Sequence, residues 1–352
     1  MKAFIQIILK SLYIYSSNTS WAILSYPSKN QTLNALNVAS PSLTTEYWIS
    51  SFKAYDRPIF EGSFPTWAEY SSLSAYDDQG LPIPGSSVNT AQFQSGSIDL
   101  LKYVDDSLLS QPYAVIHRVY RPPGHDASLQ DYEKFNVTLR GYTQEALTEE
   151  QARDNGKQLQ SELQKSLGKN HADFYSSTKL YKPSTKFMPG LFSNLDAIYL
   201  ICSPSRDNVG LRIDGTLGDP KEWISFIGFM TTDLYTTATD DSLELNWNQP
   251  YSLFLMRGGY DPVDYGYDPE DNTQRVLYWN TGAIFPTVVL RIIDVSCSIG
   301  DCEYDLGGDA YMSPLRCRRN LKDLYPKRVT YFKEEDAENH RALQVPEEPW
   351  EI

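Results

Sequence analysis

Basic residues are scarce in this chain of 352 residues: 31 Lys and Arg stand against 45 Asp and Glu, giving a formal net charge of -14. Sequence-independent binding of nucleic acid depends on basic side chains that neutralise phosphates, and docking on anionic lipid depends on the same charges. The charge balance argues against both partners. It is compatible with cation binding and with high solubility.

Long hydrophobic runs are also missing. No apolar run approaches the ~20 residues that a helix needs to span a bilayer, which excludes a multi-pass membrane protein. Residues 1–20 combine Lys2 with a short apolar stretch and several serines, which resembles a secretory signal peptide, although Lys10 interrupts the stretch. The alternative is a first strand of the mature domain. A signal predicts a secreted or lumenal protein, and without it the protein would be cytoplasmic.

The sequence signatures of the common enzymes are absent. The chain contains no Gly-x-Ser-x-Gly elbow, no His-Glu-x-x-His pair, no phosphate-binding loop and no Gly-x-Gly-x-x-Gly turn. These absences exclude the most recognisable enzyme classes and give no reason to expect an organic cofactor. The absences do not exclude an enzyme whose catalytic residues come together from strands that are distant in sequence.

Cysteine is rare, with four residues in the whole chain. An even number in a secreted chain suggests disulfides, and four cysteines allow three pairings, which the sequence leaves open. Zinc is the competing interpretation, but no Cys-x-x-Cys pair occurs and no histidine lies near the three C-terminal cysteines. The cysteines are Cys202, Cys297, Cys302 and Cys317, and three glycosylation sequons begin at Asn18, Asn30 and Asn136.

Aromatic and β-branched residues are abundant, with 25 Tyr in the chain. Segments rich in these residues are separated by Pro, Gly, Ser and Asp, which is typical of short antiparallel strands. In the segment 113–120, period two places His117 on the same face as its apolar neighbours and Arg118 on the other face. The strand predictions cover residues 69–76, 113–120, 197–201, 223–230, 251–256 and 286–295.

One segment predicts a helix. Residues 148–169 begin with a capping-box pattern and continue with leucines at four-residue spacing. The sequence Gln-Pro-Tyr opens strands at residues 111–113 and 249–251, which suggests a diverged duplication. We therefore expect a mainly β fold of two tandem antiparallel, jelly-roll-like sandwiches with one inserted or bridging helix. The expected divisions are a signal at 1–20, sandwich units at 21–142 and 191–330, a helical linker at 143–190 and a charged tail at 331–352.

Three segments carry a resemblance to known families. They are a Gly-x-Phe-Pro turn at residues 62–65, an aromatic strand ending in Tyr-Asp at 69–77, and the strand 113–122 with its Arg-Val-Tyr-x-Pro ending. In these segments the chain is similar to the domain-of-unknown-function families twelve-fourteen and twelve-fifty-four. The resemblance implies antiparallel β-sandwich domains that are often exported, and it carries no catalytic residue over to this chain.

Histidine offers few catalytic candidates. His117 lies between Val115 and Val119 on its strand face, so it either sits in a core or lines a cavity. His125 follows the turn after that strand and has Asp126 beside it in sequence. Either histidine with a nearby carboxylate is the arrangement that an isomerase or hydrolase would use.

A ligand-binding cleft is predicted from charges that lie within apolar strands. Buried charges require partners, which makes them candidates for a binding site. The alternative is an edge strand whose polar positions face water. The candidates are Arg118, Arg257, Arg291 and Asp294.

The acidic loop at residues 261–271 is a calcium candidate, because oxygen-rich loops can wrap this ion. Its acids are spaced unlike those of an EF-hand, and the alternative is a solvated surface loop. The candidate ligands are Asp261, Asp264, Asp268 and Asp271.

A basic segment at residues 316–328 follows an acidic segment at 301–309. The two predict either a hairpin whose charges pair across it or a basic patch for an anionic glycan or protein.

Three functional classes follow from these observations. The leading expectation is a secreted or lumenal protein that binds a glycan, lipid or protein partner without catalysis. The second is an enzyme with a His/Asp/Arg site in a sandwich cleft. The third is a structural component of a surface or membrane-associated assembly.

Overall fold

The computed structural model describes the chain in several stretches. These are residues 22–25, 45–78, 80–90, 92–120, 135–139, 142–144, 154, 194, 197–202, 204, 207–216, 224–232, 249–279, 287–294, 327–337 and 343–344. The signal predicted at 1–20 lies outside them. So does the helix predicted at 148–169, except for Asp154, whose backbone is helical.

The described residues form a mainly β protein with no α-helix of seven residues or more. Seventeen strands and three short 3-10 helices occur within them. The 3-10 helices are Asp106–Leu109, Pro262–Tyr265 and Glu334–Asp336. The strands are β1 Ala22–Ser25, β2 Thr45–Phe52, β3 Ile59–Ser63, β4 Tyr70–Tyr76, β5 Pro82–Asn89, β6 Ser95–Asp99, β7 Tyr113–Tyr120, β8 Asn136–Leu139, β9 Tyr142–Gln144, β10 Ala197–Cys202, β11 Asn208–Thr216, β12 Ile224–Thr232, β13 Pro250–Arg257, β14 Gln274–Trp279, β15 Thr287–Asp294, β16 Arg328–Lys333 and β17 Leu343–Gln344.

The N-terminal strands form two antiparallel sheets that share one core. The first sheet has the order β1-β2-β7-β4-β5, and the second has the order β6-β3-β8-β9. Phe60 of β3 and Val137 of β8 pack in the same buried cluster as Trp48, Leu73 and Val115 of the first sheet. Burying each large apolar side chain in such a core stabilises the fold by about 1.5–3 kcal/mol.

Strand β7 lies at the centre of the first sheet, between β2 and β4. The alternation predicted from its sequence is confirmed, because Tyr113, Val115 and Val119 all belong to the core cluster. The opposite face of β7 is buried as well, including Arg118 and Tyr120. Strand β7 is therefore covered on both faces and has no solvent-facing positions.

The C-terminal strands form two further sheets. The third sheet has the order β10-β15-β12, and the fourth has the order β14-β13-β11-β16-β17. Strands β13 and β14 pair in parallel, so the fourth sheet is mixed and departs from the antiparallel units that the sequence predicts. A parallel pair cannot be joined by a tight hairpin, and the segment between these strands accordingly makes a longer crossover through the 3-10 helix Pro262–Tyr265.

That crossover is shaped by local signals. Asp261 caps the 3-10 helix by accepting a hydrogen bond from the backbone N–H of Val263, and Pro262 opens its first turn. Gly266 ends it at a φ of 89°, a left-handed conformation that favours glycine. The crossover then covers one face of the fourth sheet, where the ring of Tyr265 lies 5.1 Å from that of Phe332.

The suggested duplication is not reflected in the strand pairing. Strands β7 and β13 begin within the two Gln-Pro-Tyr sequences, and they are alike in that each lies between two other strands of its sheet. The aromatic strand β4 pairs with β7, whereas β12 and β13 belong to different sheets. The strand orders show a mainly β protein and do not show a jelly roll. The unit boundary predicted at residue 330 falls inside β16.

Within the described residues, no helix has both the length and the apolar character needed to cross a membrane.

Candidate functional site

His117 is a core residue. Its ring centroid lies 5.6 Å from that of Phe64 and 5.1 Å from that of Phe135, and only 2% of the residue is exposed. Burial, together with the neighbouring Arg118 charge, lowers the pKa of His117 from 6.5 to about 3. The imidazole is therefore neutral near pH 7 and inaccessible to a substrate in solution. The other catalytic candidates, His125 and Asp126, lie outside the described residues.

Arg118 projects from the opposite face of β7 and is also buried. Its guanidinium carbon lies 5.8 Å from the ring centroid of Tyr47 and 5.2 Å from that of Tyr76, so two aromatic rings flank the charge. His117 and Arg118 are thus on opposite sides of one sheet and do not form a common site.

The other predicted cleft residues lie in two further sheets. Arg257 ends β13 in the fourth sheet, and its Nη2 donates to the backbone oxygen of Asn208 at 2.8 Å. Arg291 and Asp294 belong to β15 in the third sheet, where only their backbone is described. Because Arg118 belongs to the first sheet, the three arginines lie in three different sheets.

Three carboxylates of the calcium candidate make local hydrogen bonds, and Asp264 lies in the 3-10 helix Pro262–Tyr265. Asp261 caps the 3-10 helix, and Asp268 accepts from the N–H of Glu270 at 3.0 Å. Asp271 accepts from both the hydroxyl and the backbone N–H of Thr273, and these hydrogen bonds lower its pKa. Across the stretches that the structure describes, no three His, Cys, Asp or Glu side chains come together as a metal site would require.

A different surface feature occurs at one end of the N-terminal pair of sheets. Three large apolar side chains there are exposed: Tyr103 at 82%, Tyr55 at 61% and Leu108 at 41%. They belong to the turn after β2 and to the loop between β6 and β7. The backbone N–H of Tyr55 donates to the oxygen of Leu109 at 2.8 Å, which joins the two segments. We name Tyr55, Tyr103 and Leu108 the tyrosine tip.

The tyrosine tip rests on a buried and well-bonded base. Arg57 donates to the backbone oxygens of Leu101 and Val104, and its Nη2 also lies 2.6 Å from Oδ1 of Asp106. One side chain therefore fixes the loop that carries Tyr103 against the turn that carries Tyr55.

Tyr55 has an unusual backbone conformation. Its φ is 61°, and it is the one non-glycine residue with positive φ in the described part of the chain. A left-handed residue other than glycine costs roughly 1–2 kcal/mol, and such strain clusters at functional positions. The turn holds this conformation because the backbone N–H of Lys53 donates to Oδ2 of Asp56, and the N–H of Asp56 donates back to the oxygen of Lys53.

Charged groups lie on the segment that carries Tyr103. The Nζ of Lys102 lies 5.2 Å from the centroid of the Tyr103 ring. Asp105 caps the 3-10 helix Asp106–Leu109, and hydrogen bonds from Ser107 lower the pKa of its carboxyl group. The segment that carries Tyr103 therefore combines an apolar ring face with the cation of Lys102 and with the carboxylate of Asp105, whose pKa is lowered.

A second polar cluster lies on the fourth sheet. Nε of Arg212 donates to Oδ2 of Asp214 at 3.0 Å, and the hydroxyl of Ser252 donates to Oδ1 of the same carboxylate at 2.6 Å. The side chains of Arg212 and Asp214 are 28% and 22% exposed, so this pair is accessible to solvent.

Sequence patterns alone did not identify either cluster. Tyr55 and Tyr103 lie in turn-rich segments, where an isolated aromatic residue carries no periodic signal. The sequence signal for Tyr103 was its position between Lys102 and the acidic pair at residues 105–106. An aromatic residue in a charged loop has few apolar neighbours in sequence and is less often part of the core. For the second cluster the signal was Arg212 and Asp214 at a spacing of two, which places both on one face of a strand.

Comparisons with known proteins bear on the fold. No protein-family model matches the chain, and no curated protein matches it. Four chains of solved structures match. One is an uncharacterized protein from Burkholderia cenocepacia, with a TM-score of 0.52 and 10% identity over 84% of this chain and 85% of that one. Another is the VPA0106 protein from Vibrio parahaemolyticus, with a TM-score of 0.40 and 9% identity over 94% and 97% of the two chains.

The likeness to the Burkholderia protein concerns the mainly β fold alone, because the sequences share only 10% identity. The resemblance to families twelve-fourteen and twelve-fifty-four stays a hypothesis, since no family model matches.

Proposed function

We propose that the protein is a secreted or lumenal, non-catalytic glycan-binding protein, built from tandem jelly-roll-like β units, and that the tyrosine tip contacts the sugar. The observation that carries this proposal is the exposure of two tyrosine rings, Tyr103 at 82% and Tyr55 at 61%, on two segments that hydrogen bonds join. Large aromatic rings are normally buried, so two exposed rings carried by segments that are bonded to each other favour a binding surface.

The chemistry of the tyrosine tip fits a sugar. The face of an aromatic ring is electron-rich and attracts electropositive groups. The C–H groups on one side of a pyranose are weakly positive, so they can pack on such a face. Hydroxyl groups at the sugar's edge would then meet hydrogen-bond donors and acceptors, which Lys102, Asp105 and Asp106 supply on the same segment as Tyr103.

The rigidity of the tip also favours binding. Ordering flexible side chains and loops on binding costs free energy, and a preformed loop avoids much of that cost. Arg57 bonds the two loop segments together, and Tyr has only two side-chain torsions to fix. The affinity of the tip for a sugar therefore comes mainly from its rings.

Binding of the full-length chain to a glycan array tests the proposal. We expect saturable binding to at least one glycan. The variant Tyr103→Ala should lower affinity about threefold to tenfold, since one aromatic contact contributes roughly 0.5–1.5 kcal/mol. Its thermal stability should not change, because the ring is largely exposed.

The matched control is Tyr278→Ala, which removes a half-exposed tyrosine from β14, a strand of the fourth sheet. It should bind the glycan as the native chain does. A blank array, or equal loss of binding in the Tyr103 and Tyr278 variants, would contradict glycan binding at the tip. Binding of a protein in place of any glycan would also overturn it.

A further inference from the structure

The fourth sheet carries a set of basic and hydroxyl side chains on one face. In the pairing of β11 with β16, Arg212 stands opposite Thr330, and Asp214 stands opposite Arg328. Residues directly opposite in a sheet have their side chains on the same face, about 4.5–5.5 Å apart at Cβ. We name Arg212, Asp214, Thr330 and Arg328 the Arg212 site.

Arg212 presents unused donors at this site. Its Nε is bonded to Asp214, and its guanidinium carbon lies 5.8 Å from the ring centroid of Phe254. Its two terminal nitrogens make no hydrogen bond with any residue that the structure describes. Asp214 and the ring hold the planar group in place, so its outer edge is preorganised as a fork of N–H donors.

Thr330 supplies a second, independent observation. The residue is completely buried, and its hydroxyl has no hydrogen-bond partner within the described stretches. A buried hydroxyl without a partner costs roughly 1–3 kcal/mol, and such groups are rare in native proteins. A ligand oxygen beside Arg212 would give this hydroxyl a partner.

The local charge is opposite to that of the whole chain. Arg328 makes no ion pair among the described residues, and the Nζ of Lys327 bonds only the hydroxyl of Thr216, at 3.2 Å. Arg212 and Arg328 thus lie on two adjacent strands around Asp214, and Lys327 directly precedes the second strand, in a protein whose net charge is -14. The resulting local field attracts anions.

We propose that Arg212, Thr330 and Arg328 bind the carboxylate or sulfate group of an organic anion. The Arg212 fork takes two oxygens of the group, the Thr330 hydroxyl donates to one of them, and Arg328 adds charge from the neighbouring position. Asp214 and Ser252 act as positioning residues that hold the guanidinium. This site lies on a different sheet from the tyrosine tip and does not depend on the function proposed there.

Calorimetric titration of the full-length chain with three sugars tests this site. Glucuronate carries a carboxylate, glucose 6-sulfate carries a sulfate ester, and glucose is the uncharged control. We expect saturable binding of glucuronate, glucose 6-sulfate or both, and none of glucose. The variant Arg212→Gln should weaken binding roughly tenfold or more, since it removes a charge-assisted pair of hydrogen bonds. Absence of binding by both anions, or equal binding of glucose, would overturn the proposal.

The variant Thr330→Val gives a sharper test that does not depend on losing the fold. Valine has the same shape without the hydroxyl, so removing an unpartnered buried group should leave stability unchanged or raise it. Anion affinity should nevertheless fall about threefold to tenfold. Unchanged anion affinity in this variant would exclude Thr330 from the site. Arg275→Gln is the charge control, because Arg275 bonds the backbone oxygens of Asn272 and Gln274 and should not affect anion binding.

Discussion

The hydroxyl of Tyr113 donates a hydrogen bond to the backbone oxygen of Asp56 at 2.8 Å. This bond connects the first residue of the central strand β7 to the turn that carries Tyr55. The Tyr113 ring also stacks on Phe52 at a centroid distance of 5.4 Å. The exposed tip is thereby supported from within the core, in addition to the hydrogen bonds that Arg57 makes with the loop of Tyr103.

The variant Tyr113→Phe tests this support. It keeps the ring and its stacking but removes the hydrogen bond to Asp56, so we expect a loss of about 0.5–1.5 kcal/mol in the free energy of unfolding. Urea denaturation followed by circular dichroism measures the change. Tyr103→Phe is the control and should leave the free energy of unfolding unchanged, since the side chain of Tyr103 is 82% exposed. Equal stabilities for native chain and Tyr113→Phe would show that the bond does not hold the turn.

The burial of His117 predicts a specific dependence of stability on pH. The folded-state pKa is lowered to about 3 from 6.5, so below pH 6.5 the unfolded chain binds a proton that the folded chain does not. This contribution to stability is present above pH 6.5 and is lost as the pH falls toward 3, by about 1.4 kcal/mol per pH unit at most. Urea unfolding at pH 7.5 and pH 4.5 measures it.

The comparison variant for this effect is His117→Leu, which has no titratable group at that position. Glu46 is also buried on this face of the first sheet, and Arg118 is adjacent in sequence, so carboxyl and guanidinium charges contribute to the absolute profile. The difference in slope between the native chain and the variant isolates the histidine. If the two chains lose stability equally between these pH values, His117 is not buried as a neutral group.

Gly215 makes a close approach that sequence periodicity could not indicate. A Cβ atom added at Gly215 would meet the ring of its cross-strand partner Tyr251, at Oη, Cζ and Cε1. The Tyr251 ring is largely buried and cannot move away freely, so Gly215→Ala should destabilise the protein by about 1–3 kcal/mol. Thermal denaturation measures this loss.

A double variant identifies the cause. Tyr251→Leu removes the ring that the new methyl group would strike, so Gly215→Ala should cost much less in that background. Additive losses in the double variant would mean that the ring contact is not responsible.

The sequence-based predictions succeeded where a strand has many alternating apolar residues. The face shared by Tyr113, Val115 and Val119 was predictable, because period two is a local property of the chain. The burial of the other face was not, since it depends on what covers the sheet. The parallel pairing of β14 with β13 was equally unpredictable, because β14 is linked to β13 by a crossover whose path is set by packing of Tyr265 on Phe332.

Prediction of the sites was limited in the same way, because it depends on which strands become neighbours. Arg118 and Arg257 were identified as charges within apolar strands, but their sheets could not be assigned from sequence, and the structure places them in different ones. The Arg212 site requires β11 and β16 to be neighbours, although Arg212 and Thr330 are far apart in the chain. Such long-range pairing leaves no mark on a single sequence.

Tyr55 offers a way to separate stability from binding at the tip. Because its φ is 61°, replacement by glycine removes the left-handed strain of roughly 1–2 kcal/mol but adds about 0.5–1 kcal/mol of backbone entropy to the unfolded chain. Tyr55→Gly should therefore be as stable as the native chain or slightly more stable, whereas the β-branched Tyr55→Val should be less stable. Urea denaturation gives both values.

Glycan affinity should follow a different order. Both variants lack the Tyr55 ring, so both should bind the array ligand about threefold to tenfold more weakly, whatever their stability. Loss of affinity in Tyr55→Val alone would mean that folding of the turn, and not the ring, controls binding. Retained affinity in both variants would restrict the sugar contact to Tyr103. Equal weakening in a stable Tyr55→Gly and a destabilised Tyr55→Val is the result that assigns the ring itself to recognition.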